Sequence, residues 1–166
     1  MPILREGELD IMSHSTEQTQ RLGMRLGKLL RAGDVICLSG DMGAGKTMFS
    51  IGIGHGWGSS LPLTSPTFNL IHQHTREADD QNLYHLDCYR LNGSQDAENI
   101  GLDDILDGSG VVLLEWAERI ESVLPDEHLW LDLRVHEQTR RNLIFEATGD
   151  RYLQLLDQFR NETFGT

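Results

Sequence analysis

Val35-Ile36-Cys37-Leu38-Ser39-Gly40-Asp41-Met42-Gly43-Ala44-Gly45-Lys46-Thr47 decides how this chain is read. Four consecutive apolar residues, preceded by Gly33-Asp34 and followed by a glycine-rich turn, read as a short strand buried on both faces, the kind found in parallel sheets. From Gly40 to Thr47 the spacing is G-x-x-x-x-G-K-[ST]. In that arrangement backbone N–H groups wrap phosphates and the N-terminus of the next helix faces the negative charge. Asp41, Met42, Gly43, Ala44, Gly45, Lys46, Thr47 and Met48 are therefore the expected nucleotide contacts. Chemistry assigns Lys46 to the β and γ phosphates and the Thr47 hydroxyl to Mg²⁺. Of the 14 basic residues only Lys28 and Lys46 are lysines, so a glycine-flanked lysine is not a by-product of lysine abundance.

Outward from this loop, Ser15-Thr16-Glu17-Gln18 fits a helix N-cap, followed by Leu22, Leu26, Leu29 and Leu30 on one face, which predicts a helix over 16–30. A second helix starts at Lys46 and carries Phe49 and Ile53. Gly52, Gly54, Gly56 and Gly58 each lower helix propensity by about 1 kcal/mol relative to Ala, so it is expected to fray or end early. Residues 69–74 and 83–89 read as a hairpin, 96–106 as an acidic helix, and 111–116 as a buried strand. A helix over 117–124 stops at Pro125, 129–135 pairs with 143–147, and 151–160 is a terminal helix. Strands alternate first with helices and then with each other. The fold class is α/β: a P-loop NTPase fold whose mixed sheet has a parallel core, an antiparallel extension and flanking helices. One domain over 1–160 with a loose tail at 161–166 is expected from 166 residues.

Composition narrows the partners. The net charge is −12, and the segment from Glu77 to Glu127 contributes all of it, with fourteen acidic residues against Arg90 and Arg119. Such a chain has no general attraction for a phosphate backbone, so direct nucleic-acid binding is disfavoured. The acidic sector is either a solvated face or a docking surface for a basic protein. No apolar run approaches the roughly 20 residues of a membrane span, and the first ten residues lack a secretory h-region. With Cys37 and Cys88 as its only cysteines, the chain is expected in a reducing cytoplasm.

A metal-held triphosphate needs further oxygen ligands and a group that orients the attacking water. Asp87 and Glu115 end the strands 83–87 and 111–115, and pattern alone does not rank them. Thr67, in Ser65-Pro66-Thr67-Phe68, stands where a switch hydroxyl would reach Mg²⁺ or the γ-phosphate. Trp116 either packs beside the nucleotide or fills the core. His72, His74 and His85 lack close metal spacing and read as structural side chains. An N-K-x-D guanine-reading segment is impossible, because Lys28 follows Gly27 and Lys46 follows Gly45, so ATP is the expected nucleotide.

Taken together, Gly40 to Thr47, Ser65 to Phe68, His85-Leu86-Asp87-Cys88-Tyr89-Arg90-Leu91, Gly101-Leu102 and Leu114-Glu115-Trp116 resemble the bacterial TsaE family. The resemblance implies a P-loop ATPase, using Mg²⁺, that docks on the TsaD and TsaB proteins; a switch-like segment at Ser65 to Phe68 without an evident arginine finger predicts that it is weak alone. Those proteins attach threonylcarbamoyl to the adenosine beside the anticodon, so this chain would meet tRNA only through them. It further implies that Lys46, Asp87 and Glu115 carry hydrolysis, that Thr47, Asp87 and Glu115 serve the metal, and that Thr67 is the switch threonine. Ser15 and Thr16 would approach the base. A small-molecule kinase and a nucleotide-dependent adaptor without catalysis are the competing readings; for the kinase, Arg140-Arg141 is the strongest arginine cluster, and it also suits a surface turn.

Overall fold

The computed structural model describes residues 6–64 and 71–165. Its elements run β1 (Glu8–Ser13), α1 (Thr16–Gly27), β2 (Val35–Gly40), α2 (Lys46–Trp57), β3 (Ile71–Thr75), β4 (Asn82–Asp87), α3 (Ser94–Asn99) and α4 (Leu102–Ile105). They continue with β5 (Val111–Glu115), a 3₁₀ segment (Ala117–Val123), β6 (His128–Val135), β7 (Arg141–Thr148) and α5 (Asp150–Phe164). The sheet order is β1-β7-β6-β2-β5-β4-β3. Strands β6, β2, β5 and β4 are parallel, while β7 and β1 extend one side and β3 the other in antiparallel pairing. The expected α/β architecture, parallel core with antiparallel extension, is the observed one.

β2 is central because it can be buried on both faces. Ile36 and Leu38 join a core formed with α1, α2 and α5, and Val35 and Cys37 join a second core under α3, α4 and the 3₁₀ segment. Period-two alternation splits the neighbouring strands in the same way: Leu129, Leu131 and Leu133 of β6 face the first core, Val112 and Leu114 of β5 the second. α5 is locked to the start of β2 by Arg151, whose guanidinium grips the buried Asp34 carboxylate at 2.7 and 2.9 Å. Tyr152 adds a hydroxyl that accepts from Val35 N at 2.8 Å.

Several expectations change in the three-dimensional packing. α2 does not fray: it is helical through Trp57, because its glycines meet the backbone of α1. A Cβ at Gly52 would lie 2.1 Å from the Gln20 carbonyl oxygen, and one at Gly56 would lie 2.0 Å from that of Met24. From the other side, a Cβ at Gly27 would lie 2.2 Å from the Ile53 oxygen. The two helices thus touch backbone to backbone, and tertiary contact overrides propensity. The acidic helix expected over 96–106 is two short helices divided at Gly101 (φ 78°). The expected helix over 117–124 is a 3₁₀ segment, and α5 continues to Phe164 through most of the expected tail. β1 is an element that the sequence reading does not anticipate. Among the described residues no helix is long and apolar enough to cross a membrane.

Candidate functional site

At the end of β2 the chain can turn tightly only because of its glycines. Gly40 presses on β6, where a Cβ would stand 2.2 Å from the Leu133 oxygen, and Gly43 and Gly45 have φ of 81° and 108°. α2 then begins at Lys46 with no side chain capping it, so its first-turn N–H groups remain available to an anion. Lys46 is 5% exposed. Its ammonium folds back into the loop, donating to the Gly40 carbonyl and, at 2.8 Å, to that of Asp41. It also lies 4.1 Å from the centroid of the Trp116 ring. Burial lowers the Lys46 pKa, against the opposing pull of Glu118, Glu115, Asp41 and Asp87.

The parallel pairing of β4 with β5 sets Asp87 beside Glu115. The two carboxylates are then distinguished by what they touch. Glu115, 3% exposed, accepts from the Thr47 hydroxyl at 3.2 Å through one oxygen and meets His85 Nε2 at 2.5 Å through the other. Asp87 accepts from Tyr89 N at 2.9 Å, and burial, with Glu115 adding, raises its carboxyl above the usual range. Trp116 (φ 59°) is the one non-glycine residue of positive φ among the described residues, a conformation that costs about 1–3 kcal/mol and tends to persist at functional sites. It turns the chain sharply after Glu115, and its ring meets that of Tyr89 at 4.8 Å between centroids, tilted by 58°.

These groups converge on a cavity of about 640 Å³. Its walls include Ser15 and Thr16, Met42, Gly43, Gly45 and Lys46 to Met48, Asp87 and Tyr89, Glu115 and Trp116, and Gln138, Thr139 and Arg141. Of the residues singled out in the sequence, Ser15, Thr16, Met42, Gly43, Gly45, Lys46, Thr47, Met48, Asp87, Glu115 and Trp116 are brought together. Two are not: Ala44 is buried in the first core, and Asp41 points to a separate depression with Ser39, Glu118 and Trp130. The contact expected of both is through the backbone N–H rather than the side chain, so these side-chain positions leave that expectation where it stood. Thr67 lies outside the described residues. Trp116 packs against the second core and also lines the cavity. The Ser15 hydroxyl is already committed to capping α1, accepting from Gln18 N at 3.0 Å, so of this pair Thr16 is the one whose hydroxyl is not tied to the cap.

Other wall residues were not flagged by pattern. Tyr89, read only within the stretch His85 to Leu91, had no role assigned, and the 138–139 turn carries no motif of its own. Arg140 and Arg141, read as one cluster, both engage the β6–β7 turn: Arg140 faces Glu137 at 3.8 Å, and Arg141 donates to the Glu137, Gln138 and Arg140 carbonyls and, at 3.3 Å, to that of Gly43, tying the turn to the glycine-rich loop. His85, read as a structural side chain, touches the site carboxylate directly.

The chain is similar to known proteins over most of its length. Residues 13–143 match the family model "Threonylcarbamoyl adenosine biosynthesis protein TsaE". A Bacillus subtilis tRNA threonylcarbamoyladenosine biosynthesis protein TsaE is 37% identical over 142 residues, 86% of this chain and 87% of that protein. The protein of the same name from Streptomyces coelicolor is 45% identical over 138 residues, covering 80% and 93%. The crystal structure of Bacillus subtilis YdiB superposes with a TM-score of 0.77 at 32% identity, over 94% of this chain and 96% of that one.

Proposed function

This chain belongs to the TsaE family of threonylcarbamoyl adenosine biosynthesis proteins, and from that membership we propose that it binds and hydrolyses ATP with Mg²⁺ to support a complex of TsaB and TsaD acting on tRNA in the cytoplasm. The observation that carries the reading is the convergence of Lys46, Thr47 and Glu115 at the loop end of one cavity. The donors that face one another there, a hydroxyl and a carboxylate, are hard oxygens of the kind Mg²⁺ takes while keeping several waters. Thr47 and Glu115, with Asp87 alongside, would hold the ion, which when bound supplies neutralisation of phosphate charge.

The roles of the chain's own residues follow. The Lys46 ammonium exchanges its two carbonyl partners for β and γ phosphate oxygens, which match its charge better. The free amides at the start of α2 cradle the phosphates. Glu115 or Asp87 accepts a hydrogen bond from the attacking water and so orients it. The cavity's far wall, at Ser15, Thr16, Gln138 and Thr139, has room for ribose and base. The net charge of −12 suits contact with tRNA through partners rather than directly. Thr67 as switch hydroxyl belongs to the same reading.

The test is ATP turnover, scored as ADP and free phosphate, for the chain alone and with purified TsaB and TsaD. Slow turnover alone, stimulation by the partners and a loss of at least about a hundredfold on Lys46→Ala are expected. Turnover that ignores both the partners and Lys46 would overturn the assignment.

A further inference from the structure

Resting on that ATPase reading, we propose that His85 is a positioning residue, holding the Glu115 carboxylate so that one oxygen stays aimed at the Thr47 hydroxyl and thereby setting the site's affinity for Mg²⁺. The register places His85 opposite Leu113 and Asp87 opposite Glu115, so His85 stands one pleat behind Glu115 on the same face of the sheet. It is fully buried, with 0% exposure. Its same-face neighbours Leu83 and Leu113 are apolar members of the first core. An apolar side chain would fill this position as they do.

The imidazole instead enters the core with one hydrogen bond. Nε2 meets Glu115 Oε2 at 2.5 Å, and Nδ1 has no partner among the described residues. Burying a ring nitrogen unpaired is unfavourable, so the bond to Glu115 is what the imidazole contributes that leucine cannot. Glu115 is thereby held from both sides, by His85 behind and by Thr47 in front at 3.2 Å. A buried carboxylate with one oxygen unpaired would rotate toward water, and its other oxygen would then leave Thr47. Hydrogen bonds behind a metal ligand commonly change metal affinity by about 10–100-fold when removed.

The experiment compares the parent with His85→Leu, which fills the space without a donor, and His85→Gln, which restores one. Affinity for a fluorescent ADP analogue is measured in EDTA and then across a Mg²⁺ titration, with thermal melting alongside. His85→Leu is expected to bind the metal-free nucleotide within about twofold of the parent while its Mg²⁺ half-saturation rises about 10–100-fold, and His85→Gln to recover most of that loss. Equal Mg²⁺ requirements in parent and His85→Leu, or parallel losses with and without Mg²⁺, overturn the proposal. A parent whose nucleotide affinity ignores Mg²⁺ overturns the proposal, whereas the ATPase reading falls only on the turnover assay.

A second measurement needs neither nucleotide nor a stable His85→Leu protein. Ring ¹⁵N spectra of the parent should show a protonated, exchange-protected His85 Nε2 that shifts on Glu115→Gln. An unprotonated Nε2, or one indifferent to Glu115→Gln, overturns the proposal by itself.

Discussion

Replacing Gly52 by Ala sets two forces of known size against each other. In an isolated helix the change stabilises by about 1 kcal/mol, because glycine gives up more backbone entropy. Here the new Cβ would lie 2.1 Å from the Gln20 carbonyl oxygen, where ordinary contact begins near 3.4 Å, so α1 and α2 must part by about 1 Å. The obstacle is backbone and has no rotamer to escape into. Overpacking of this kind costs about 1–3 kcal/mol, and the upper part of that range applies. The net expectation is a loss of about 1–2 kcal/mol, seen as a fall in Tm of roughly 2–8 °C for a chain of this length. Gly54→Ala is the control, since its Cβ would meet the Leu63 side chain at 2.2 Å, a group that can swing aside. Calorimetry or urea unfolding reads the result. A Tm that rises for Gly52→Ala, or falls no further than for Gly54→Ala, would refute the backbone contact between the helices.

Amide exchange across residues 49–57 should show strong protection, because α2 is held by α1 along its glycine face; rapid exchange there would mean that the helix opens independently. Tyr152→Phe should cost about 1–3 kcal/mol by leaving the buried Val35 N–H unpaired, measured by denaturant unfolding at neutral pH. Burial pushes the Tyr152 hydroxyl up to about 12 from 10.0, so its contribution is intact below pH 10 and lost as pH rises toward 12, and the Phe variant should lack that alkaline decline. His74 is lowered to about 4 from 6.5, by burial first and then by His85 and His72. The folded state therefore prefers it neutral, with its stability present above pH 6.5 and lost as pH falls toward 4; melting curves of His74→Gln should be flatter across that interval.

What was legible in the sequence was local. The strand, loop and helix from Val35 to Ile53 could be read because their determinants are adjacent: four apolar residues, spaced glycines, one lysine. Alternation in 129–135 and 143–147 likewise gave β6 and β7. Distant contacts were less visible. β1 has only Leu9 and Ile11 as alternating apolar residues, and its partner β7 lies at the other end of the chain. Propensity alone weighed the α2 glycines as a weakness, whereas the facing backbone of α1 makes them the contact surface. In the site, Lys46, Thr47 and the two strand-end carboxylates were apparent from position. Tyr89, Arg141 and His85 were not assigned to it, since only sheet register and chain reversal carry them there. Asp41 and Ala44 belong to the motif, yet their side chains face elsewhere.

The cavity's walls come from residues near 15, 45, 88, 115 and 140, so hardly any stretch of the chain can be missing when it forms. During synthesis the glycine-rich loop emerges early, but the turn that Arg141 ties to it comes some hundred residues later. A nascent chain that carries the whole motif but has not reached Arg141 therefore lacks a complete cavity. If the chain binds nucleotide as proposed, occupancy would test completed folding, and the bound molecule would stabilise the entire chain by mass action rather than the loop alone.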